Sequence, residues 1–316
     1  MNRPTPENPL RLGTRSSPLA MAQAHEARDR LCVAASFDAA CIEIVSVRAS
    51  GDKVQDRPLA EIGGKALWTK ELDAALMAGE IDFAVHSAKD VETIRPAEIA
   101  IAAVLEREDV RDVLVGAASI AALPPGAVVG TSAPRRAAQL LHARPDCRVV
   151  PIRGNVATRL SKLAAGEVDA TFLALAGLNR LGETGTGHPL DAQEWLPAPG
   201  QAAIAIECRA DDDSTRELLA TIDHAPSHRA LLAERALLAG LGGTCHSPIA
   251  ALTTHAGEEL LLRAALFSPD GAERIEESLR FPAEDMDAPR QLANCLLTMA
   301  PPAIAAHFVK PQADLR

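Results

Sequence analysis

The chain has 316 residues, 47% hydrophobic and 23% charged, and 32 Lys and Arg against 42 Asp and Glu leave a net charge of −10. Such a composition buries a sizeable core and excludes disordered and fibrous architectures. The acidic balance argues against a general nucleic-acid binder, which needs Lys and Arg to neutralise phosphates. The longest uninterrupted apolar run, Ile99 to Leu105, is seven residues, far short of the roughly 20 of a membrane-spanning helix, so no membrane association is expected. The start MNRPTPENP is polar and proline-rich without the apolar core of a secretory signal, which makes the cytoplasm the expected location. Six cysteines (32, 41, 147, 208, 245 and 295) show no CxxC or Cys/His metal spacing, and no metal is expected.

In chain order, GTRSSPLAMAQ at 13–23 reads as a strand end, a polar turn and a helix begun by Ser17 and Pro18. AGEIDFAVHSAKD at 78–90 reads as a helix stopped at Gly79 and then a buried strand. Both patterns recur, as GTSAPRRAAQ at 130–139 and AGEVDATFLALAG at 165–177. Two similar α/β halves with largely parallel strands are therefore predicted, the first carrying extra chain. LPAPGQ at 196–201 reads as a hinge, and AAIAIEC after it as a strand. Beyond about Asp223 come a long helix, HRALLAERALLAG, a Gly-rich loop, two strand-like runs flanking an SPDG turn, and a helix after Pro282. The predicted domains are 10–105 with 201–222 (α/β), 106–200 (α/β), and a small α+β domain over 223–316.

Three features ask for more than packing. Arg135 and Arg136 stand in the first turn of a helix that Thr131 or Ser132 is placed to cap. Cations there oppose the helix dipole, at roughly 0.3–1 kcal/mol each, unless an anion sits against them. RGNVATRLSKL at 153–163 repeats the pattern with Asn155 as the cap, Arg153 before it and Arg159 one turn inside. Arg15 precedes the Ser17 helix start and Arg180 follows the second-half strand, so the arginines predict a site for a polyanion. The alternative is arginines that reach into solvent. The second feature is HSAKD at 86–90, whose counterpart LALAG has no ionisable group. It offers Asp90 as a lone catalytic carboxylate beside Lys89, able to stabilise a developing cation and move a proton; a plain cap or a Lys89 pair is the alternative. His86 reads as a strand residue rather than a base. The third is LGGTCHSPIA at 241–250, where Cys245 lies in a Gly-rich loop and is a candidate nucleophile, against an inert packing role.

Seven segments, RLGTRSSPLA, GGKALWTKEL, AVHSAKDV, VGTSAPRR, RGNVATRLSKL, LPAPGQAAIAIECR and LGGTCHSPI, resemble in order the motifs of the porphobilinogen deaminase (hydroxymethylbilane synthase) family, from about Leu10 to Leu252. The resemblance implies two periplasmic-binding-protein-like α/β domains around a cleft and a third domain that carries a covalent dipyrromethane cofactor on Cys245. It implies a monomeric transferase of tetrapyrrole and haem biosynthesis. Four porphobilinogen molecules are joined head to tail with loss of ammonia, giving the linear tetrapyrrole hydroxymethylbilane while the cofactor stays on the enzyme.

By the same resemblance Asp90 is the catalytic acid. Lys89, Asp90, Thr131, Ser132, Arg135 and Arg136 hold the cofactor, and Arg15, Ser17, Arg153, Arg159 and Arg180 bind the substrate and growing chain. The chain departs from the family pattern at Ala133, Trp68, Thr244 and Ala202, the last in GQAA where GQGA is usual. A cytosolic binding protein for an anionic metabolite is the rival reading, and it predicts no covalent modification.

Overall fold

The computed structural model describes residues 4–47, 69–244 and 246–308. Cys245, Trp68 and most of the GGKALWTKEL segment lie outside them. By compactness the chain divides into two units, with boundaries at 108/109, 201/202 and 228/229.

The first unit is built on a five-stranded sheet in the order β2-β1-β3-β10-β4. Its strands are β1 (Leu10–Arg15), β2 (Ile42–Val47), β3 (Phe83–Ser87), β4 (Ile99–Val104) and β10 (Ile204–Arg209). β1 pairs in parallel with β2 and β3, and β10 runs antiparallel between β3 and β4. Helix α1 (Pro18–Ala35) packs Ala24, Ala27 and Leu31 against Leu12, Phe83, Val85 and Ile206. Helix α2 (Lys70–Met77) covers the opposite face with Leu72 and Leu76 against Ala84.

The second unit repeats the layout in the order β7-β6-β8-β5-β9, from β5 (Asp112–Val115), β6 (Val128–Gly130), β7 (Arg148–Val150), β8 (Ala170–Ala174) and β9 (His188–Pro189). Again three neighbouring strands, β7, β6 and β8, are parallel, and β5 runs antiparallel between β8 and β9. Helices α3 (Pro134–Ala143), α4 (Val156–Ala164) and the short α5 (Leu175–Arg180) connect them. Helix α6 (Asp213–Ala220), which follows β10, belongs to the first unit and buries Leu219 in the α1 side of its core.

The second of the sequence echoes has the same physical job in the two halves. Gly79 and Gly166, at φ +67° and +72°, end α2 and α4 in the left-handed conformation that glycine adopts without steric cost. In each case the next residue's N–H returns to the helix, Glu80 to Ala75 O and Glu167 to Lys162 O. Three residues past each glycine a carboxylate pins the neighbouring parallel strand. Asp82 accepts from Arg11 N and Asp169 from Val128 N, both at 2.7 Å.

The rest of the second unit is a three-stranded antiparallel sheet, β11 (Ile249–Ala256), β12 (Glu259–Phe267) and β13 (Arg274–Pro282), with helix α7 (Ala225–Leu241) before it in the chain and α8 (Ala288–Met299) and α9 (Pro302–Ala305) after it. The SPDG hairpin forms as predicted. Strand alternation splits the sheet's apolar residues: Leu260, Leu262 and Leu266 face Leu237, Leu241, Leu292 and Leu296, whereas Ala250, Leu252, Ala265 and Phe267 pack on Ala138 of α3 and on Leu196. The fully buried Glu234 accepts from Gly200 N (2.6 Å) and Thr253 N (2.8 Å), fixing the predicted hinge segment LPAPGQ to this unit. No helix among the described residues is long and apolar enough to cross a membrane.

Candidate active site

In the first unit the site lies at the C-terminal ends of β1 and β3, where side chains leave a parallel sheet toward a ligand. Arg15 closes β1, and Ser17 caps α1 by accepting from Ala20 N at 3.3 Å, as the sequence predicts. The buried Thr14 hydroxyl reaches Ala20 O and Val85 O, locking that turn to α1 and β3. β3 passes into a single 3-10 turn, Ala88–Asp90, held by Ala88 N donating to Ala203 O at 3.0 Å. The turn presents Lys89 and Asp90, both half-buried. Arg15, Ser17, Gln23, His86, Ser87 and Asp90 all line one open pocket. Within it Arg15 Nη1 stands 4.0 Å from Asp90 Oδ2, and the Gln23 carboxamide is doubly bonded to the Ser87 hydroxyl at 2.9 and 3.0 Å.

The pocket therefore combines a partly exposed carboxylate and a cation beside it at a helix start. Such a set holds an anionic group and stabilises positive charge a few ångströms away.

The second unit gathers the other arginines after the equivalent strand ends, and here the sequence reading needs correction. Neither Thr131 nor Ser132 caps α3. Its N-cap is Ala133 with no side-chain bond; Thr131 Oγ1 accepts from Ala133 N and Ser132 Oγ donates to Ile152 O. Nor do Arg135 and Arg136 reach into solvent. Each is 5% exposed, and the two converge on Asp112 at 2.6 and 2.7 Å.

Asp112 is fully buried and takes two further donors, Trp195 Nε1 and Gln201 Nε2, both at 2.9 Å. Burial works against its charged form, but the charge and hydrogen bonds of Arg135 and Arg136 prevail and hold the carboxyl well below the usual carboxylate range. Part of the anion that offsets two cations at a helix start is thus internal. One carboxylate still faces two guanidinium groups, and neither Arg135 Nε nor Arg136 Nε has a hydrogen-bond partner. Asp112 belongs to no motif; an acid in the buried strand DVLV is its only signal.

Asn155 caps α4 as predicted, accepting from Thr158 N at 2.9 Å. Arg159 Nε donates to Gly154 O, and Arg153 and Arg180 are half-buried, the latter closing α5. Thr244 Oγ1 accepts from His246 N and Ser247 Oγ from Thr244 N, which tightens the loop on either side of position 245. Among the other cysteines, 41, 147 and 208 are buried, 32 is half-buried and 295 is exposed. Burial pushes the Cys208 thiol up to about 11, which makes it a poor nucleophile.

Residues 10–217 match the family described as porphobilinogen deaminase, dipyrromethane cofactor binding domain, and residues 228–298 match the porphobilinogen deaminase C-terminal domain. The chain belongs to the porphobilinogen deaminase family. The porphobilinogen deaminase of Sphingopyxis alaskensis is 56% identical over 310 residues, covering 96% of this chain and 98% of that one. The chloroplastic porphobilinogen deaminase of Pisum sativum is 47% identical, covering 85% and 75%. Among solved structures, a Salmonella typhimurium periplasmic binding protein described for high arginine specificity superposes with a TM-score of 0.37 at 12% identity, covering 67% of this chain and 90% of that one. Porphobilinogen deaminase membership extends across all three sheets, and the binding-protein rival is not favoured.

Proposed function

We propose that this chain is a hydroxymethylbilane synthase that condenses four porphobilinogen molecules head to tail on a dipyrromethane primer bound to Cys245. We further propose a cytoplasmic monomer of three domains, 10–105 with 201–222, 106–200, and 223–316. The observation that carries the reading is the family match over 10–217 and 228–298, joined to a pocket that sets Asp90 against Arg15.

The donor set fits the primer. Dipyrromethane bears acetate and propionate carboxylates, and Arg135 and Arg136 retain buried Nε donors without partners. With Lys89, Asp90, Thr131 and Ser132 they are the residues to hold it, and when bound it supplies an anchored pyrrole whose free α-carbon is the nucleophile. Arg15, Ser17, Arg153, Arg159 and Arg180 take the carboxylates of the incoming monomer and lengthening chain.

In each addition the aminomethyl C–N bond of porphobilinogen breaks and ammonia leaves with the bonding pair. A C–C bond then forms to the methylene carbon, and the attacking α-carbon loses its proton. Positive charge develops around the pyrrole nitrogen in between. Asp90 faces that charge as a fixed carboxylate in a partly enclosed pocket, a contribution typically worth several kcal/mol, and it is placed to accept and return the proton. Arg15 orients Asp90 and the monomer's carboxylate together.

The test is the intact mass of the denatured protein, purified from a host that makes porphobilinogen, beside Cys245→Ala. A mass excess equal to two deaminated porphobilinogen units that is absent from the variant supports the primer and its attachment together. An unmodified mass in both would return the anionic-metabolite binding protein to first place.

A further inference from the structure

The pocket lies at the ends of β1 and β3; the α2 face of the same sheet carries an ionic cluster that the condensation does not employ. Strand alternation puts Val85 and Ser87 on the α1 side of β3, and His86 with Ala84 on the α2 side. Glu207 lies opposite Ala84 in the antiparallel neighbour β10, hence on the same face as His86. It is a carboxylate with no solvent exposure at the centre of a sheet. An unbalanced charge there is strongly unfavourable.

Balance comes from Arg95, in the connection from β3 to β4. Its Nε donates to Glu207 Oε1 at 2.9 Å and its Nη2 to Oε2 at 2.8 Å. The same guanidinium bonds Asp73 of α2 at 2.5 and 3.0 Å and Glu92 at 2.8 Å, and Glu92 accepts from Thr69. His86 Nε2 is also close to Glu207 Oε2, at 3.3 Å, yet it is not aligned for a hydrogen bond. The guanidinium, not the imidazole, is aligned to answer Glu207.

We propose that Arg95 is a positioning residue for the pocket: by holding Glu207 in a bidentate pair it leaves His86 uncharged beneath Asp90, and without it Glu207 draws a proton onto His86. The groups facing His86 are Glu207 from β10, Arg95, Asp73 from α2, Arg15 from β1 and Asp90 from the turn after β3. Burial first, and then Arg95 and Arg15, push the imidazole down to about 4, against the opposing pull of Asp73 and Asp90. His86 lines the same pocket as Asp90. An imidazolium there would add positive charge where the reaction already develops it, and so slow turnover.

Only that effect on turnover rests on the proposed reading of the pocket, so the decisive readout is separate from it. Histidine ring resonances are followed by NMR against pH in the parent, Arg95→Met and Arg95→Met/Glu207→Gln, with His86 assigned from His86→Gln. The expected result is a His86 midpoint raised by about two pH units in Arg95→Met and lowered again, part of the way toward the parent value, in the double variant, where Asp73 still acts on it. kcat at pH 5 should fall about tenfold relative to pH 8.5 in the single variant alone. If Arg95→Met does not fold, Arg95→Gln carries the same expectation, while Arg95→Lys, which keeps the charge, should leave His86 as in the parent. A His86 that stays largely uncharged at pH 5 once the guanidinium is gone overturns the proposal. A midpoint that moves without any change in the kcat profile leaves Arg95 its role and counts against the pocket as the reacting site.

Discussion

Two carboxylates, one in each half of a duplicated scaffold, sit close to arginines and have opposite surroundings. Asp112 is fully buried, with four donors from Arg135, Arg136, Trp195 and Gln201 at 2.6 to 2.9 Å. Asp90 keeps 38% of its side chain exposed in an open pocket, with Arg15 at 4.0 Å. A carboxylate with its acceptor sites filled holds a fold together, whereas one left partly open can answer charge that appears on a ligand. The difference between the halves begins at the strand ends: β3 runs into an ionisable turn, and β8 runs straight into the apolar start of α5.

Substituting each acid separates the two roles. Asp90→Asn is expected to lower kcat about 100-fold or more while thermal unfolding stays within about a degree of the parent, because no packing depends on it. A variant with near-normal turnover removes Asp90 from the mechanism. Asp112→Asn should do the reverse first. Two buried guanidinium groups lose their counter-charge, an effect of about 3–5 kcal/mol measurable as a reduced urea midpoint. Should Asp112→Asn unfold at the parent's midpoint, the buried cluster is not the structural element its geometry implies.

Much of this is legible in the sequence, for identifiable reasons. Gly79 and Gly166 signal helix ends because only a left-handed residue closes those turns, and Ser17 and Asn155 announce their helices because cap chemistry is local. The α3 start misleads because Thr131 and Ser132 find partners in Ala133 and Ile152 instead. Asp112, Glu207 and Arg95 are invisible because the pairs Asp112–Arg135, Glu207–Arg95 and Arg95–Asp73 span 22 to 112 residues, and no spacing rule reaches that far. The pairing of Arg135 and Arg136 with an internal acid escapes for the same reason: local spacing offers only solvent or an external anion as their counterpart.

The two halves should also part company under acid. His86 in the first unit is buried with its pKa lowered to about 4. The unfolded chain, with an ordinary histidine near 6.5, therefore binds the proton that the folded one refuses. Stability falls as pH drops from about 6.5 to 4, by up to about 3 kcal/mol, and the loss then levels off. Asp112 has the opposite ordering, its pKa held below the ordinary carboxylate value. Its contribution is intact above about pH 4 and is lost only as pH falls below that. Urea midpoints across pH 7 to 5 should decline in the parent and stay flat in His86→Gln. An equal decline in both would assign the acid sensitivity elsewhere.

The smallest expected effect concerns the junction after the hinge segment, where the first unit resumes. Ala202, in GQAA, has φ +71°, one of two non-glycine residues in the left-handed region among the described residues. An L side chain there costs roughly 1–2 kcal/mol, and a glycine gives back part of that difference through the larger entropy of its unfolded chain. Ala202→Gly should therefore stabilise by about 0.5–1 kcal/mol, read as a melting temperature one to a few degrees higher. Because Ala203 O holds the turn that carries Asp90, the same variant asks whether that strain matters to the chemistry. Unchanged kcat with a raised melting temperature would mean the strain is incidental. A raised melting temperature with lower kcat would mean that Ala202 keeps the Asp90 turn in place at the expense of stability.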